Sequence, residues 1–434
     1  MPDMEQDIAQ NIENVWETIT QPIFIIIYII IMFLIMLAIV VTVMLNERRF
    51  NSVTKRLNKT AEAKEEEANE EDAEKVARFD MLKAIDEANE TYREKDFVSG
   101  ISLKDICEEF RMFAANRLGL YYDISVIREF IAGMAVSHIV ILQGMSGSGK
   151  TSLAYAFGEF LENPSVIVPI QPMWKERTDL LGYYNEFTKR FNETLLLEKM
   201  YEANSREGMY ITILDEMNIA RVEYYFAEFL SLLEIPNPES RYLEVVSDKW
   251  DNDPIALKDG RIKLPENMWF IGTANNDDST FAISDKVYDR AMVLNLNRKS
   301  DPFLASTART MPISAKRFVA LSEEAIKNGR ISAINLERLS KLDQYLIEKF
   351  EVSFGNRIMR QIKSYVPIYV SCGGEELDAL DDIIAKKVLR KLETQNTAYL
   401  RSESEELCKF IDDLFGEDKM PTCKDYIVRM AKNV

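Results

Sequence analysis

The chain has 434 residues, 47% of them hydrophobic and 29% charged, enough for two or three domains with a sizeable core. A net charge of −18 argues against a general nucleic-acid coat, which needs a basic surface, and leaves room only for a small basic patch or a pore with a few Lys and Arg. One histidine and four cysteines (Cys107, Cys372, Cys408 and Cys423) without CxxC spacing argue against zinc and fit reduced thiols.

The first feature in chain order is apolar. Residues 23–45 read IFIIIYIIIMFLIMLAIVVTVML, 23 positions without a charge. At about 1.5 Å per residue such a helix reaches roughly 34 Å, enough to cross a bilayer core. No Lys or Arg precedes it, while Arg48, Arg49, Lys55, Arg56 and Lys59 follow closely. A cleaved signal peptide begins with positive charge; this segment is preceded by Asp3, Glu5, Asp7, Glu13 and Glu17. The expectation is a single transmembrane helix, with residues 1–22 outside and the rest in the cytoplasm. Residues 46–96 read as a basic juxtamembrane segment and a charged helical linker, because TAEAKEEEANEEDAEK favours helix but offers nothing to bury. Toward its end, Val76, Phe79, Leu82 and Ile85 form a stripe expected to dock on the domain that follows.

That domain carries the chemistry. The β-branched run from His138 to Gln143 leads into Gly144-Met-Ser146-Gly147-Ser148-Gly149-Lys150-Thr151, and a helix-forming stretch begins at Ser152. Strand, glycine-rich loop and helix in this order predict a phosphate cradle built from backbone N–H groups of residues 144–152. Lys150 would reach the outer phosphates, and the Thr151 hydroxyl would ligate Mg²⁺. His138 reads as structural. A second apolar run, from Tyr210, ends in Asp215 and Glu216, placing two acids at the carboxyl edge of a parallel sheet. Asp215 would hold Mg²⁺ through water, and Glu216 would activate the attacking water. A third run, from Met268, ends in Ala274-Asn275, whose amide is suited to positioning that water.

Together GMSGSGKT, ILDEMN, IGTAN and ISDKVYDRA resemble the AAA+ ATPases, specifically the dynein-related branch with its MoxR-like, midasin-like and GTP-using restriction motors. The resemblance spans about residues 100–395. It implies an α/β P-loop domain over residues 97–300, with a parallel sheet of order 5-1-4-3-2, a helical lid over 301–395 and a helical tail over 396–434. It also implies that Asn275 is the sensor-1 residue, Arg290 the arginine finger serving a neighbouring subunit, and Arg357 the sensor-2 residue. Arg221 is a further candidate for touching a neighbour's nucleotide. The runs at residues 241–246 and 260–264 resemble the hairpin this branch inserts before sensor 1, and residues 174–182 its DLLG segment. ATP is the expected nucleotide, and no residue in these motifs excludes GTP. The implied assembly is a homo-oligomeric ring of about six subunits acting on an unknown protein client. A nucleotide-controlled membrane scaffold and a DNA-acting defence motor are the alternatives; the acidic charge counts against the second.

After Lys316 the pattern is helical. Leu336, Leu339, Leu342, Leu346 and Phe350 fall on one face, and Leu377, Leu380, Ile384, Val388 and Leu392 on another. Ser402 and Glu405 have the spacing of a capping box.

Overall fold

The computed structural model describes residues 77–275, 280–297 and 300–432, with Asn11, Ile12, Asn14 and Val15. The apolar run at 23–45 and the spacer at 46–76 lie outside the described residues; among those described, no helix is long and apolar enough to cross a membrane. The chain divides into two units, Met1–Val76 and Ala77–Val434, and the second carries every element named below. Its compact body therefore starts upstream of the expected boundary at residue 97.

Five parallel strands form the central sheet: β1 Ile139–Gln143, β2 Val166–Pro169, β3 Tyr210–Asp215, β4 Met268–Ala274 and β5 Met292–Asn295. Their order across the sheet is β2-β3-β4-β1-β5, the 5-1-4-3-2 arrangement. Alternation along β1 explains why both faces are covered. Val140 and Leu142 enter one apolar cluster with helices α1 Leu103–Leu118, α2 Ile124–Val136 and α3 Lys150–Phe160. Ile139 and Ile141 enter a second cluster with the helix Leu195–Ala203 and Phe226, Phe229 and Val287. A parallel sheet needs this two-sided cover, since both faces are apolar. His138 stacks on Trp269 with ring centroids 5.0 Å apart and bonds the Glu266 carbonyl, a structural role.

Two hairpins leave the sheet. One pairs Gly182–Asn185 with Arg190–Glu193; the other pairs Tyr242–Glu244 with Arg261–Lys263, where a hairpin was expected. The upstream stripe docks as predicted for its described members. Phe79, Leu82 and Ile85 are buried around the helix Met81–Asn89, whose first N–H groups (Asp80, Met81, Leu82) donate to the Glu193 carboxylate at 2.8–2.9 Å. Arg78 is buried beside them. It is paired to Asp248 at 3.0 Å and Asp253 at 2.6 Å, with its guanidinium 4.4 Å from the Trp250 ring centroid.

The C-terminal part is helical: α4 Ala315–Asn328, α5 Ala333–Phe350, α6 Gly355–Ser371, α7 Glu376–Ile383, a π-helical turn Ile384–Val388, a 3₁₀ turn Leu389–Thr394, α8 Thr397–Phe415 and α9 Pro421–Lys432. Its apolar side joins the same cluster as α1–α3, so lid and sheet share one core. Two expectations need correction. Leu336 is 39% exposed, because it stands at the margin of the α5 stripe that buries Leu339, Leu342, Leu346 and Phe350. Ser402 caps nothing: α8 starts upstream, where the Asn396 side chain accepts from the N–H groups of Ala398 and Tyr399, and Ser402 bonds the Tyr399 carbonyl inside the helix.

Candidate functional site

The loop from Gly144 to Gly149 closes the carboxyl end of β1. Gly144 sits at φ 153°, where a Cβ would come within 2.3 Å of the Leu296 carbonyl oxygen, so only glycine fits. Gly149 at φ 89° turns the chain into α3, and its carbonyl accepts from the Tyr122 hydroxyl at 3.1 Å. Ser146 and Gly147 are exposed at the loop's tip, Ser148 and Ser152 half-buried. Lys150 is buried, and its Nζ donates to the carbonyls of Gly144 and Met145 at 3.0 and 2.8 Å. The ammonium is thus held over the loop rather than toward solvent. The Ser148 hydroxyl is buried without a hydrogen-bond partner among the described residues. An orphaned donor beside a helix N-terminus and a lysine fits an anionic phosphate.

The acids stand beside the loop. Asp215 Oδ1 accepts from Thr151 Oγ1 at 2.7 Å and from Thr273 Oγ1 at 2.8 Å. This oxygen-only pair, a hydroxyl and a carboxylate, suits Mg²⁺ completed by phosphate and water. Among the described residues no cluster of three or more His, Cys, Asp or Glu could hold a metal by itself. Glu216 is exposed, with left-handed backbone (φ 53°, ψ 45°), and its N–H donates to Thr273 Oγ1 at 2.8 Å. Strain of that kind at a non-glycine residue persists only where the surroundings hold it. Asn275 follows β4 directly. Its carbonyl accepts from Asn218 Nδ2 at 2.8 Å and its N–H donates to Asn218 Oδ1 at 3.3 Å. Gln143, Asn275, Tyr288 and Arg390 line one cavity of about 360 Å³ at this edge.

The arginines lie elsewhere. Arg290 precedes β5, whose Met292 pairs with Val140 near the start of β1. It therefore sits at the amino edge of the sheet, whereas the loop sits at the carboxyl edge. The five residues of β1 between them span about 17 Å at 3.3 Å each. Arg290 Nη2 pairs with Glu234 Oε2 at 2.7 Å, and Arg357 Nη2 pairs with the other oxygen of the same carboxylate. Both line a cavity of about 440 Å³ with Ser137, Leu230 and Gln361. Arg357 is thus gathered with Arg290, away from its own loop. Arg221 is not; it lies 3.9 Å from Glu223 and over the Phe281 ring.

Thr273, Asn218, Tyr122 and Glu234 all position these groups and were not singled out from sequence. Thr273 and Asn218 stand inside the IGTAN and ILDEMN motifs. Nothing local marks Tyr122 or Glu234.

Residues 139–291, from β1 to the alanine before β5, match the family model of the AAA domain (dynein-related subfamily). Residues 307–434 match a domain of unknown function, DUF8727. Among solved structures the chain is similar to a candidate ATPase from Cytophaga hutchinsonii at 13% identity and TM-score 0.47, covering 76% of this chain and 97% of that one. It is also similar to a full-length MCM homolog from Methanopyrus kandleri at 11% identity and TM-score 0.36, covering 71% and 62%. No curated protein matches the chain.

Proposed function

We propose that this chain is an AAA+ nucleoside triphosphatase that hydrolyses ATP at the subunit interfaces of a homo-oligomeric ring and uses the cycle to remodel or move a protein client. One observation carries the reading: Arg290 and Arg357 converge on Glu234 at the sheet edge opposite the phosphate loop. A subunit cannot bring Arg290 and Arg357 to its own phosphates, so a complete site takes the loop of one copy and these two arginines of the next. Such a head-to-tail interface closes into a ring when its rotation closes.

Within the site, the N–H groups of residues 144–152 and the Lys150 ammonium hold the phosphates. Thr151 and Asp215 would hold Mg²⁺, which supplies charge neutralisation between the phosphates. Glu216 takes the proton of the attacking water, Asn275 orients that water, and Arg290 with Arg357 stabilises the charge that develops on the transferred group. GTP would be bound by the same groups. The apolar run at 23–45 and the basic residues after it support a membrane tether with the ATPase on the cytoplasmic side. The charge of −18 favours a protein client over nucleic acid.

The test is hydrolysis of ATP and GTP by the full chain in detergent, comparing wild type, Glu216→Gln, Arg290→Ala and an equal mixture of the two variants. Each variant alone is expected to fall by at least about tenfold. The mixture recovers part of the rate, because Glu216→Gln subunits lend Arg290 to neighbours with an intact Glu216. A mixture no faster than its components would sink the shared-site reading.

A further inference from the structure

The turn that carries Arg290 runs from the short helix Asp285–Tyr288 into β5, and its backbone is held in an unusual way. Four consecutive carbonyls, residues 288–291, each accept from a side chain. Lys387 Nζ donates to Tyr288 O at 2.6 Å and also to Ala291 O, Gln361 Nε2 donates to Asp289 O at 3.2 Å, and Ser137 Oγ donates to Arg290 O at 2.8 Å. Three of these four bonds come from the lid.

The lid is shaped for this. Gln361 stands one turn after Arg357 on α6, so both leave the same helix face, Gln361 for the turn and Arg357 for Glu234. Lys387 lies in the π-helical turn, which buries two consecutive lysines. Lys386 goes to Glu129 at 2.7 Å and to Asp382, and Lys387 to the arginine's turn. Short π-helical insertions recur at functional positions because they re-aim side chains that a regular helix would place elsewhere. Burial pulls the Lys387 amine down to about 7; Asp289 opposes this, while Arg390 and Arg357 add to it. Either protonation state retains the two N–H groups the carbonyls need. The same lid segment also grips the other side of Tyr288. The Arg390 guanidinium lies 3.3 Å from the Tyr288 ring centroid and pairs with Asp285 at 2.9 Å, while the Tyr288 hydroxyl accepts from Gln143, the residue before Gly144.

We infer that Lys387 and Gln361 are positioning residues for hydrolysis in the neighbouring subunit. They fix the turn from which Arg290 is presented, and Tyr288 joins that turn to the subunit's own phosphate loop. The lid's position in one subunit then sets the arginine offered to the next. This rests on the reading of Arg290 as acting in trans.

The experiment uses the full chain in detergent, with Lys387→Met, Gln361→Leu and Arg290→Ala each assayed alone and mixed equally with Glu216→Gln. Lys387→Met is expected to lower ATP turnover at least tenfold while its affinity for a fluorescent ATP analogue stays within threefold. Mixing restores about a quarter of the wild-type rate, the chance that a Lys387→Met site faces a Glu216→Gln neighbour in a randomly mixed ring. Gln361→Leu, which removes a single donor, is expected to lose about threefold; its equal mixture should hold at about a third of the wild-type rate, where a defect confined to a subunit's own site would leave about a sixth. A defect confined to a subunit's own site or fold would not be restored. Rescue of Arg290→Ala without rescue of Lys387→Met overturns the positioning role alone; failure to rescue Arg290→Ala overturns the trans reading and the inference with it. Amide exchange in residues 285–292 gives a readout independent of turnover. It is expected to speed up at least tenfold in Lys387→Met while α3 is unchanged, and equal exchange in variant and wild type overturns the clamp.

Discussion

The two edges of the central sheet are built by opposite strategies. At the carboxyl edge, the phosphate loop, Asp215, Glu216 and Asn275 are placed by strands that end beside one another, and the bonds that tune them join residues of three sequence motifs, 57 to 64 positions apart. Thr273 joins both acids. At the amino edge, the arginine turn is held by residues far away in sequence, through a lid anchored by buried charge. Lys386 is nearly enclosed between Glu129 and Asp382, and the Tyr365 hydroxyl donates to Asp382 at 2.6 Å. The contrast separates chemistry that depends on local backbone from presentation that depends on global packing. Damage at the first edge should cost rate alone, and damage to the buried charge that anchors the lid should cost stability.

The sharpest way to break that comparison is Lys386→Met. It leaves two carboxylates buried without their cation, and removal of one partner from a buried ion network costs about 3–5 kcal/mol. Denaturant unfolding of the full chain in detergent should show that loss; a change under about 1 kcal/mol would mean the lid does not depend on this charge. Thr273→Val probes the other edge. It removes one hydrogen bond to Asp215 and one to the Glu216 N–H while keeping shape, so turnover should fall about tenfold with the melting temperature nearly unchanged. A matching fall in stability would erase the distinction between the edges.

The smallest expected effect is on pH. Burial, and then the Asp382 charge, push the Glu129 carboxyl above its ordinary value of 4.5. The folded state therefore holds a proton that the unfolded state releases above that value, and stability falls as pH rises from the ordinary carboxyl range toward the raised one. Unfolding midpoints measured at pH 5 and pH 8 should show this decline, and Glu129→Gln should flatten it.

The same division decides what could be read from sequence. The phosphate loop was legible because strand, glycines and helix are contiguous, and each residue's role follows from its place in that run. Asp215 and Glu216 were legible because an apolar strand must end at one edge of a parallel sheet. Lys387, Gln361 and Glu234 were not, since they stand in no motif and no spacing rule connects them to partners 56 to 123 residues away. Helical periodicity placed the lid's core but could not tell the margin of a stripe from its centre, as Leu336 shows. Ser402 and Glu405 had the right spacing for a cap, but the preceding 3₁₀ turn ends at Thr394 and hands the start of α8 to Asn396.

The burial of Arg78 has a mechanical consequence. Any pull arriving along the chain from upstream meets the compact body at this residue. Before the helix Met81–Asn89 can peel away, the load must break the Arg78 pairs to Asp248 and Asp253. It must also break the bond from Phe191 N–H to the Arg78 carbonyl and the Glu193 clasp on three backbone N–H groups. These contacts come from both hairpin regions outside the central sheet, so the force is spread over two attachment points and bypasses the strands that carry the nucleotide site.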